Sequence, residues 1–501
     1  MKLLYLVSLS FAHTVFTDMK LYNITAYGAK ADGKTNNTAA IQKAIDLASV
    51  NGGVVLVPAG KFVTGVINLK SNVELRLATN SILLATTKRI DYGPGKASPL
   101  IVANDQQNIS ITGAGTIDGQ ADLLLKDIYK MLRAGTLKDK EWQVYNPWHQ
   151  MRPEENNRPK LIMFNNCSNI TIKNVSIKNG LCWIQDYRGC NNMVIDNIKV
   201  NSNTFLNNDG IDLVDCKNVK LTNSSFNVAD DGICLKSEDP KNYCENIYIA
   251  NCSIRSSASA FKIGTASYGG FKKINVKNIN VYDTYRSAIA IESVDGAFME
   301  DINVQDVTAK NTGNAIFIRL GKRKKTAPVG KVKGIYIANI KVQVPAGKPD
   351  AGYSMEGPLV TTGPHNIFPS SIVGLPGFDV QDVTLENIEI SYAGSLVKNV
   401  PIYTEKTIET VPENSNSYPE FSMFGELPAW GFYVRHANNV KMKNVRLTCT
   451  NLDFRSACVF DNVKKLEIDA IIINKAKKFP VLWYNKVENQ ILKNIKIPVQ
   501  K

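Results

Sequence analysis

The chain has 501 residues, 44% of them hydrophobic and 21% charged, and its 59 Lys and Arg against 45 Asp and Glu give a net charge of +14. This composition excludes a largely disordered chain and a membrane-embedded one. The positive balance favours a polyanionic partner, which leaves nucleic acid, anionic membrane and acidic polysaccharide. The lysines are spread along strand-like segments with no zinc-finger, RRM or basic-helix pattern, so nucleic acid is not expected as a partner.

At the N-terminus Lys2 precedes an apolar run from Leu3 to Ala12, shorter than a bilayer span. Residues 1–17 therefore read as a secretory signal peptide, and the protein is expected to be secreted or periplasmic. No later stretch reaches the roughly 18 apolar residues of a membrane-spanning helix. Residues 18–501 read as a single domain acting as a monomer. TAAIQKAIDLA from Thr38 has helical periodicity, with Thr38 as its N-cap. Strand-like segments follow at Val73–Leu84 and Ile109–Ile117. A loop-like stretch over residues 122–159 holds Trp142, Tyr145, Trp148 and His149.

From about residue 160 one phrase recurs: an Asn-rich turn, an apolar alternation, Asn, and a second short alternation. It appears as CSNITIKNVSI from Cys167, CNNMVIDNIKV from Cys190, CKNVKLTNSSF from Cys216 and CENIYIANCSI from Cys244. Later copies start at Phe271, Val332, Val380 and Asn438, and a degraded one at Glu488. A period of two means strands with one buried face, and recurrence every roughly 20 to 30 residues without helical segments excludes βα units. The predicted fold is an all-β, right-handed, single-stranded parallel β-helix, with the helix at Thr38 capping its open end. Asn tolerates left-handed turns and hydrogen-bonds along ladders, so the sequons at Asn169, Asn174, Asn223 and Asn251 read as ladder positions rather than glycosylation sites. The cysteine number, nine, is odd, and no spacing matches a zinc site. Cys167, Cys190, Cys216 and Cys244 open successive repeats and predict a buried stack.

Two stretches interrupt the repeat, residues 345–378 and 401–430, and read as long loops of the kind that usually carry function. The second holds Tyr403, Tyr418, Phe421, Phe424 and Trp430. These would either stack on sugar rings or pack over the surface of the solenoid.

Aligning the words NDGIDLV, DDGICLKS, ASAFKIGT, RSAIAIES and GNAIFIRL places Ile233, Phe261, Ile289 and Ile316 in one column. In that register Asp209, Asp231, Ser259, Ser287 and Asn314 form another column, and Asn208, Asp230, Ala258, Arg286 and Gly313 its neighbour. Asp209, Asp230 and Asp231 thus converge on two adjacent coils. Stacked like charges repel, so packing does not call for them. Close carboxylates also push their pKa values apart, as an acid and a base in glycoside hydrolysis require. A solvated acidic turn or a calcium site is the non-catalytic explanation.

NNDGID, from Asn207 to Asp212, and ADDGICLKS, from Ala229 to Ser237, resemble the Asn-Thr-Asp-Gly and Asp-Asp motifs of glycoside hydrolase family 28, the polygalacturonases and rhamnogalacturonan hydrolases. The opening YGAKADGKTNNTAAIQKAI resembles that family's N-terminal region. The resemblance covers most of the chain. It implies an inverting hydrolase of pectic polysaccharide with no metal or organic cofactor, in which Asp230 is the general acid while Asp209 and Asp231 position and deprotonate water. The family's Gly-His-Gly motif is absent and Ser259 stands at its histidine position. Its Arg-Ile-Lys motif falls on Ala290-Ile291-Glu292. Substrate binding would then rest on Asn207, Ser259 and a charged outward face of Lys236, Lys262, Arg286, Glu292 and Arg319, where Lys or Arg can hold a uronate. His149 and His365 are loop histidines that could reach in. The absent motifs point to rhamnogalacturonan or a decorated pectin rather than plain homogalacturonan. The alternatives are a polygalacturonase, a calcium-dependent pectate lyase and a non-catalytic carbohydrate-binding β-helix.

Overall fold

The computed structural model describes residues 20–143, 152–358, 365–394, 403–474 and 480–498. The predicted signal segment and Tyr145, Trp148 and His149 lie outside them. No helix among the described residues is long and apolar enough to cross a membrane. Among the described residues thirty strands join in one sheet whose named strands pair in parallel. The three strands Ile162–Asn165, Ser168–Lys173 and Ser176–Lys178 form one coil, and each pairs with its counterpart in the next, Gln185–Arg188, Asn191–Asp196 and Lys199–Ser202. The result is the right-handed parallel β-helix that the repeat predicts.

Alternation fills the interior. Ile170 and Ile172 stack on Met193 and Ile195, then on Val219 and Leu221, then on Ile247 and Ile249, all essentially without solvent contact. Each such side chain contributes about 1.5–3 kcal/mol through burial. All nine cysteines are buried, and Cys167, Cys190, Cys216 and Cys244 open successive coils beneath the Asn turns. At those turns Asn169, Asn192, Asn218 and Asn246 have positive φ, as do Asn174, Asn197, Asn223 and Asn251. Their amides hydrogen-bond from coil to coil, Asn197 Nδ2 to Asn174 Oδ1 at 2.8 Å and Asn251 Nδ2 to Asn223 Oδ1 at 3.0 Å.

Helix α1, Thr38–Asn51, covers the first coils with Ile41, Ala44, Ile45 and Ala48. Thr38 is its first helical residue rather than the cap, which is Asn37. The Asn37 side chain is diverted to the Lys30 amide at 2.7 Å, and Thr38 Oγ1 accepts from the Gly65 amide at 2.6 Å, so both residues tie the helix to the sheet. The stretch read as a loop after residue 122 contains a second helix, α2, Ala121–Arg133, which buries Ala121, Leu124, Ile128 and Leu132. Within residues 345–378 the strand Ser370–Val373 slots between Phe317–Arg319 and Phe432–Arg435, so the coil resumes before the irregular stretch ends.

Asn223 has φ 54°, donates to Asp196 Oδ1 at 2.8 Å and accepts from Asn251. Asn223→Ala loses both bonds and strains the turn, whereas Asn223→Gly loses only the bonds. Alanine is therefore expected to lower the thermal unfolding midpoint further, by the equivalent of about 1 kcal/mol. Equal midpoints for the two variants would show that the turn conformation is not what Asn supplies.

Candidate active site

The outward face of one sheet carries two columns of side chains. Register places Met163, Asp186, Asp212, Cys234, Lys262, Ala290 and Phe317 in the first. Arg188, Val214 and Lys236 stand in the second, with Glu292 and Arg319 further along it. Asp209 and Asp231 lie in the turns that lead into these strands. Gly210 N donates to Asp231 O at 2.9 Å and Gly232 N to Ser259 O at 2.8 Å, which is the predicted column. Arg286 N donates to Ala258 O and Asp230 N to Asn208 O, which is its neighbour. Glycine follows each aspartate because the coils nearly touch there. A Cβ on Gly210 would come within 2.5 Å of Gly232 O, and one on Gly232 within 2.6 Å of Ala260 O.

Asp209 and Asp231 are almost fully buried, at 4% and 2% exposure, whereas Asp230 is partly open to solvent. Asp231 accepts from the Ser259 amide at 3.1 Å and pairs with Lys262 Nζ at 3.0 Å. Its own amide donates to Asp230 Oδ1 at 2.9 Å. Burial alone would raise the Asp231 pKa, but Lys262, Lys236 and Arg286 together outweigh it and hold the carboxyl below its ordinary value. Asp230 is raised by burial and by the Asp231 charge. Asp209 is raised well above the carboxylate range by burial and by Asp212 and Asp230, and its Oδ1 has no hydrogen-bond partner. Neighbouring carboxyls are thus pushed in opposite directions. A carboxylate oxygen from each of Asp209 and Asp231 and the Cys234 thiol lie within 4.8 Å of one another, a possible donor set for a cation, but Lys262 already brings positive charge to Asp231.

The other predicted residues divide into two groups. Lys236, 3.7 Å from Asp212, and Lys262, 3.8 Å from Glu292, line the floor beside the aspartates. Arg286 stands at the edge, paired with Glu420 at 3.2 Å. Asn207 Oδ1 accepts from Arg152 and from Arg158, both at 2.9 Å, which fixes the turn before Asp209. Ser259 takes part through its amide. Arg319 does not face the cleft: it is fully buried beneath residues 403–428, donating to the carbonyls of Gly374 and Glu413, and anchors that loop. His365 is packed against Tyr285 and Phe421, and burial lowers its pKa to about 4. Of the loop aromatics, Phe421, Phe424 and Trp430 are buried and Tyr418 is exposed, its hydroxyl accepting from Lys262 Nζ at 3.0 Å.

Several site residues were not singled out from the sequence. Asp212 lies fully buried among them, pushed up to about 8 by burial. Its signal was present in the NNDGID word, since Asp212 shares the outward phase of Lys262. One coil earlier Asp186 pairs with Lys160 and Arg188, and the Trp183 ring lies 3.9 Å from Lys160 Nζ and 4.9 Å from Lys236 Nζ.

Burial pushes the Glu292 carboxyl up from 4.5 to about 7, against the pull of Lys262. A carboxyl with a raised folded-state pKa has no effect on stability below its unfolded value. It then destabilises increasingly until the pH reaches its folded value, and by a constant amount above. Glu292→Gln is therefore expected to raise the thermal midpoint at about pH 8 and to leave it unchanged at about pH 4. A gain of the same size at both pH values would contradict this.

Sequence comparison agrees with the geometry. The family model for glycosyl hydrolases family 28 matches residues 49–403. A protein of Vitis vinifera named probable polygalacturonase is 23% identical over 421 residues, covering 78% of this chain and 76% of that protein. An exo-poly-alpha-D-galacturonosidase of Dickeya chrysanthemi is 28% identical over 307 residues, covering 52% of this chain and 50% of the relative. The crystal structure of a hyperthermoactive exopolygalacturonase from Thermotoga maritima superposes with a TM-score of 0.59 at 21% identity, covering 91% of this chain and 92% of that one, which shows the shared fold. With a family match over most of its length and paired carboxyls on adjacent coils, this chain belongs to glycosyl hydrolases family 28 and is a glycoside hydrolase.

Proposed function

We propose that this enzyme is an exported, inverting hydrolase of galacturonate-containing pectic polysaccharide, with rhamnogalacturonan or a decorated pectin preferred over plain homogalacturonan. The observation that carries the reading is the convergence of Asp209, Asp230 and Asp231 on adjacent coils, with Lys262 3.0 Å from Asp231 and Asp230 partly exposed beside it and joined through the Asp231 amide. Burial and the Asp231 charge push Asp230 up while Lys262 holds Asp231 down, which separates the two as an acid and a base require.

Asp230, partly exposed at the cleft, gives its proton to the glycosidic oxygen as the bond to the anomeric carbon breaks. Water attacks that carbon from the opposite face and forms the new C–O bond. Its proton passes to Asp231, which Lys262 keeps ionised. Asp209, whose Oδ1 has no partner of its own, holds the water beside Asp231. Exchange with solvent returns the proton to Asp230. The anomeric centre inverts because a single displacement occurs.

The preference follows from charge. Among the described residues, Lys236 pairs with Asp212, Lys262 with Asp231 and Glu292, and Arg286 with Glu420. Glu292 stands where an Arg-Ile-Lys motif would bring a lysine. A floor whose cations already have carboxylate partners favours a chain in which neutral sugars interrupt the uronates. The relatives named probable polygalacturonase and exo-poly-alpha-D-galacturonosidase support a pectic substrate of the same general class.

Asp230→Asn is expected to lower kcat by about 10²- to 10⁴-fold. In the unmutated enzyme, activity should fall at acid pH as Asp231 is protonated and at higher pH as Asp230 loses its proton, giving a bell. Products from rhamnogalacturonan and homogalacturonan oligosaccharides should be reducing ends without an ultraviolet-absorbing double bond, formed equally in the presence of a calcium chelator. Unsaturated products would indicate a lyase, equal or faster turnover of homogalacturonan would reject the preference, and saccharide binding without turnover of any pectic fraction would leave a binding protein.

A further inference from the structure

The segment that closes the C-terminal side of the cleft carries a charge of its own. Phe421 is fully buried, with its ring 5.3 Å from Phe368 and 6.0 Å from Tyr285, and it pins the turn Tyr418-Pro419-Glu420 against the solenoid. From that turn Tyr418 reaches Lys262 and Glu420 reaches Arg286. Arg286 stands two coils beyond Asp230 in the same column, about 10 Å along the axis, close enough to act as the next sugar's contact.

The Arg286–Glu420 contact is incomplete. Nε lies 3.2 Å from Glu420 Oε2, yet this buried nitrogen has no hydrogen bond. The other Glu420 oxygen is occupied by the Ser422 hydroxyl at 3.0 Å. A guanidinium binds best to a carboxylate that offers two in-plane oxygens to its fork. Glu420 neutralises the charge of Arg286 without using that geometry. It comes from a partly exposed turn, whereas Arg286 is held on a strand with 12% side-chain exposure.

We propose that Arg286 is the seat of a uronate carboxylate of the substrate and that Glu420 fills this seat in the empty enzyme, so that Glu420 sets the preference between charged and uncharged saccharides. An acidic sugar must displace Glu420 to bind there, whereas an uncharged or esterified one meets a guanidinium that is already neutralised. Glu420 is thus a specificity residue that lowers affinity for the acid form without touching the reacting atoms. This rests on the pectic-hydrolase reading of the same cleft.

The test is calorimetric titration of an alternating rhamnose–galacturonate hexasaccharide, as free acid and as methyl ester, into protein carrying Asp230→Asn to prevent turnover, with and without Glu420→Gln. Glu420→Gln is expected to tighten Kd for the free acid about five- to tenfold and to leave Kd for the ester within about twofold. Arg286→Met in the same background should weaken the acid and not the ester. Unchanged or weaker acid binding in Glu420→Gln, or an equal gain for acid and ester, would overturn the proposal. If acid binding tightens as expected while the unmutated enzyme releases no reducing ends from any pectic fraction, the seat stands and the hydrolase reading falls.

Discussion

Stacking a coil on its neighbour in parallel register puts each side chain about 4.8 Å from the one above and the one below, so every column must tolerate its own kind of residue repeated. Isoleucine and valine gain from this by burial, and asparagine gains by hydrogen-bonding along the stack, as Asn174, Asn197 and Asn223, Asn251 do. Carboxylates lose by it. The same geometry that makes the core nearly automatic makes the pair Asp209 and Asp231 unfavourable, and their burial removes the water that would otherwise screen them. The chain accommodates them by close glycines at Gly210 and Gly232, by the Ser259 amide, and by ammonium groups brought in from neighbouring coils.

The compensation is uneven, and the unevenness gives the site its chemistry. Lys262 sits within contact of Asp231, so that carboxyl stays ionised in spite of burial. Asp209 and Asp230 are pushed up by burial and by the neighbouring carboxyls, with less positive charge to offset them. One uniform stack thereby shifts its carboxyls in opposite directions within one coil spacing. Glu292 is part of the same balance: it draws on Lys262 from the far side and is held near neutral pH in its own titration. Where an Arg-Ile-Lys motif would add positive charge, this chain adds a carboxyl, so Lys236 and Lys262 each face carboxyl groups inside a protein of net charge +14.

The repeat was legible because its period of two and its Asn turns are imposed by the ladder itself, and so was the convergence of Asp209, Asp230 and Asp231, which is register and nothing more. Register could not say what lies over a column. Arg319 has the outward phase of Glu292, yet the sequence has no local mark that residues 403–428 close over it. Helix α2 did leave a mark in the sequence, since Ala121, Leu124, Ile128 and Leu132 recur at helical spacing while Lys126, Asp127 and Lys130 fall on the other faces, but that single stripe lies between strand repeats of period two. Asp212 hid inside a motif already read for its neighbour. Glu420 belongs to no repeat, so only tertiary contact reveals it.

The loop over residues 403–428 has a physical reason that links the fold to the cleft. Beyond Lys262 the first outward column turns apolar apart from Ser371, through Ala290, Phe317, Ser371, Tyr433, Val459 and Trp483, and its rings would otherwise stand in water. Phe421, Phe424 and Leu427 cover most of that face, and Arg319 and Arg435 hold the loop down through Glu413 and Val411. The cover ends where the column becomes charged, and at that edge the loop presents Tyr418 and Glu420 to Lys262 and Arg286. The boundary between apolar and charged residues along a single column therefore fixes both how far the cleft extends and which loop residues stand at its rim, so a loop required for stability also supplies the groups that meet the substrate.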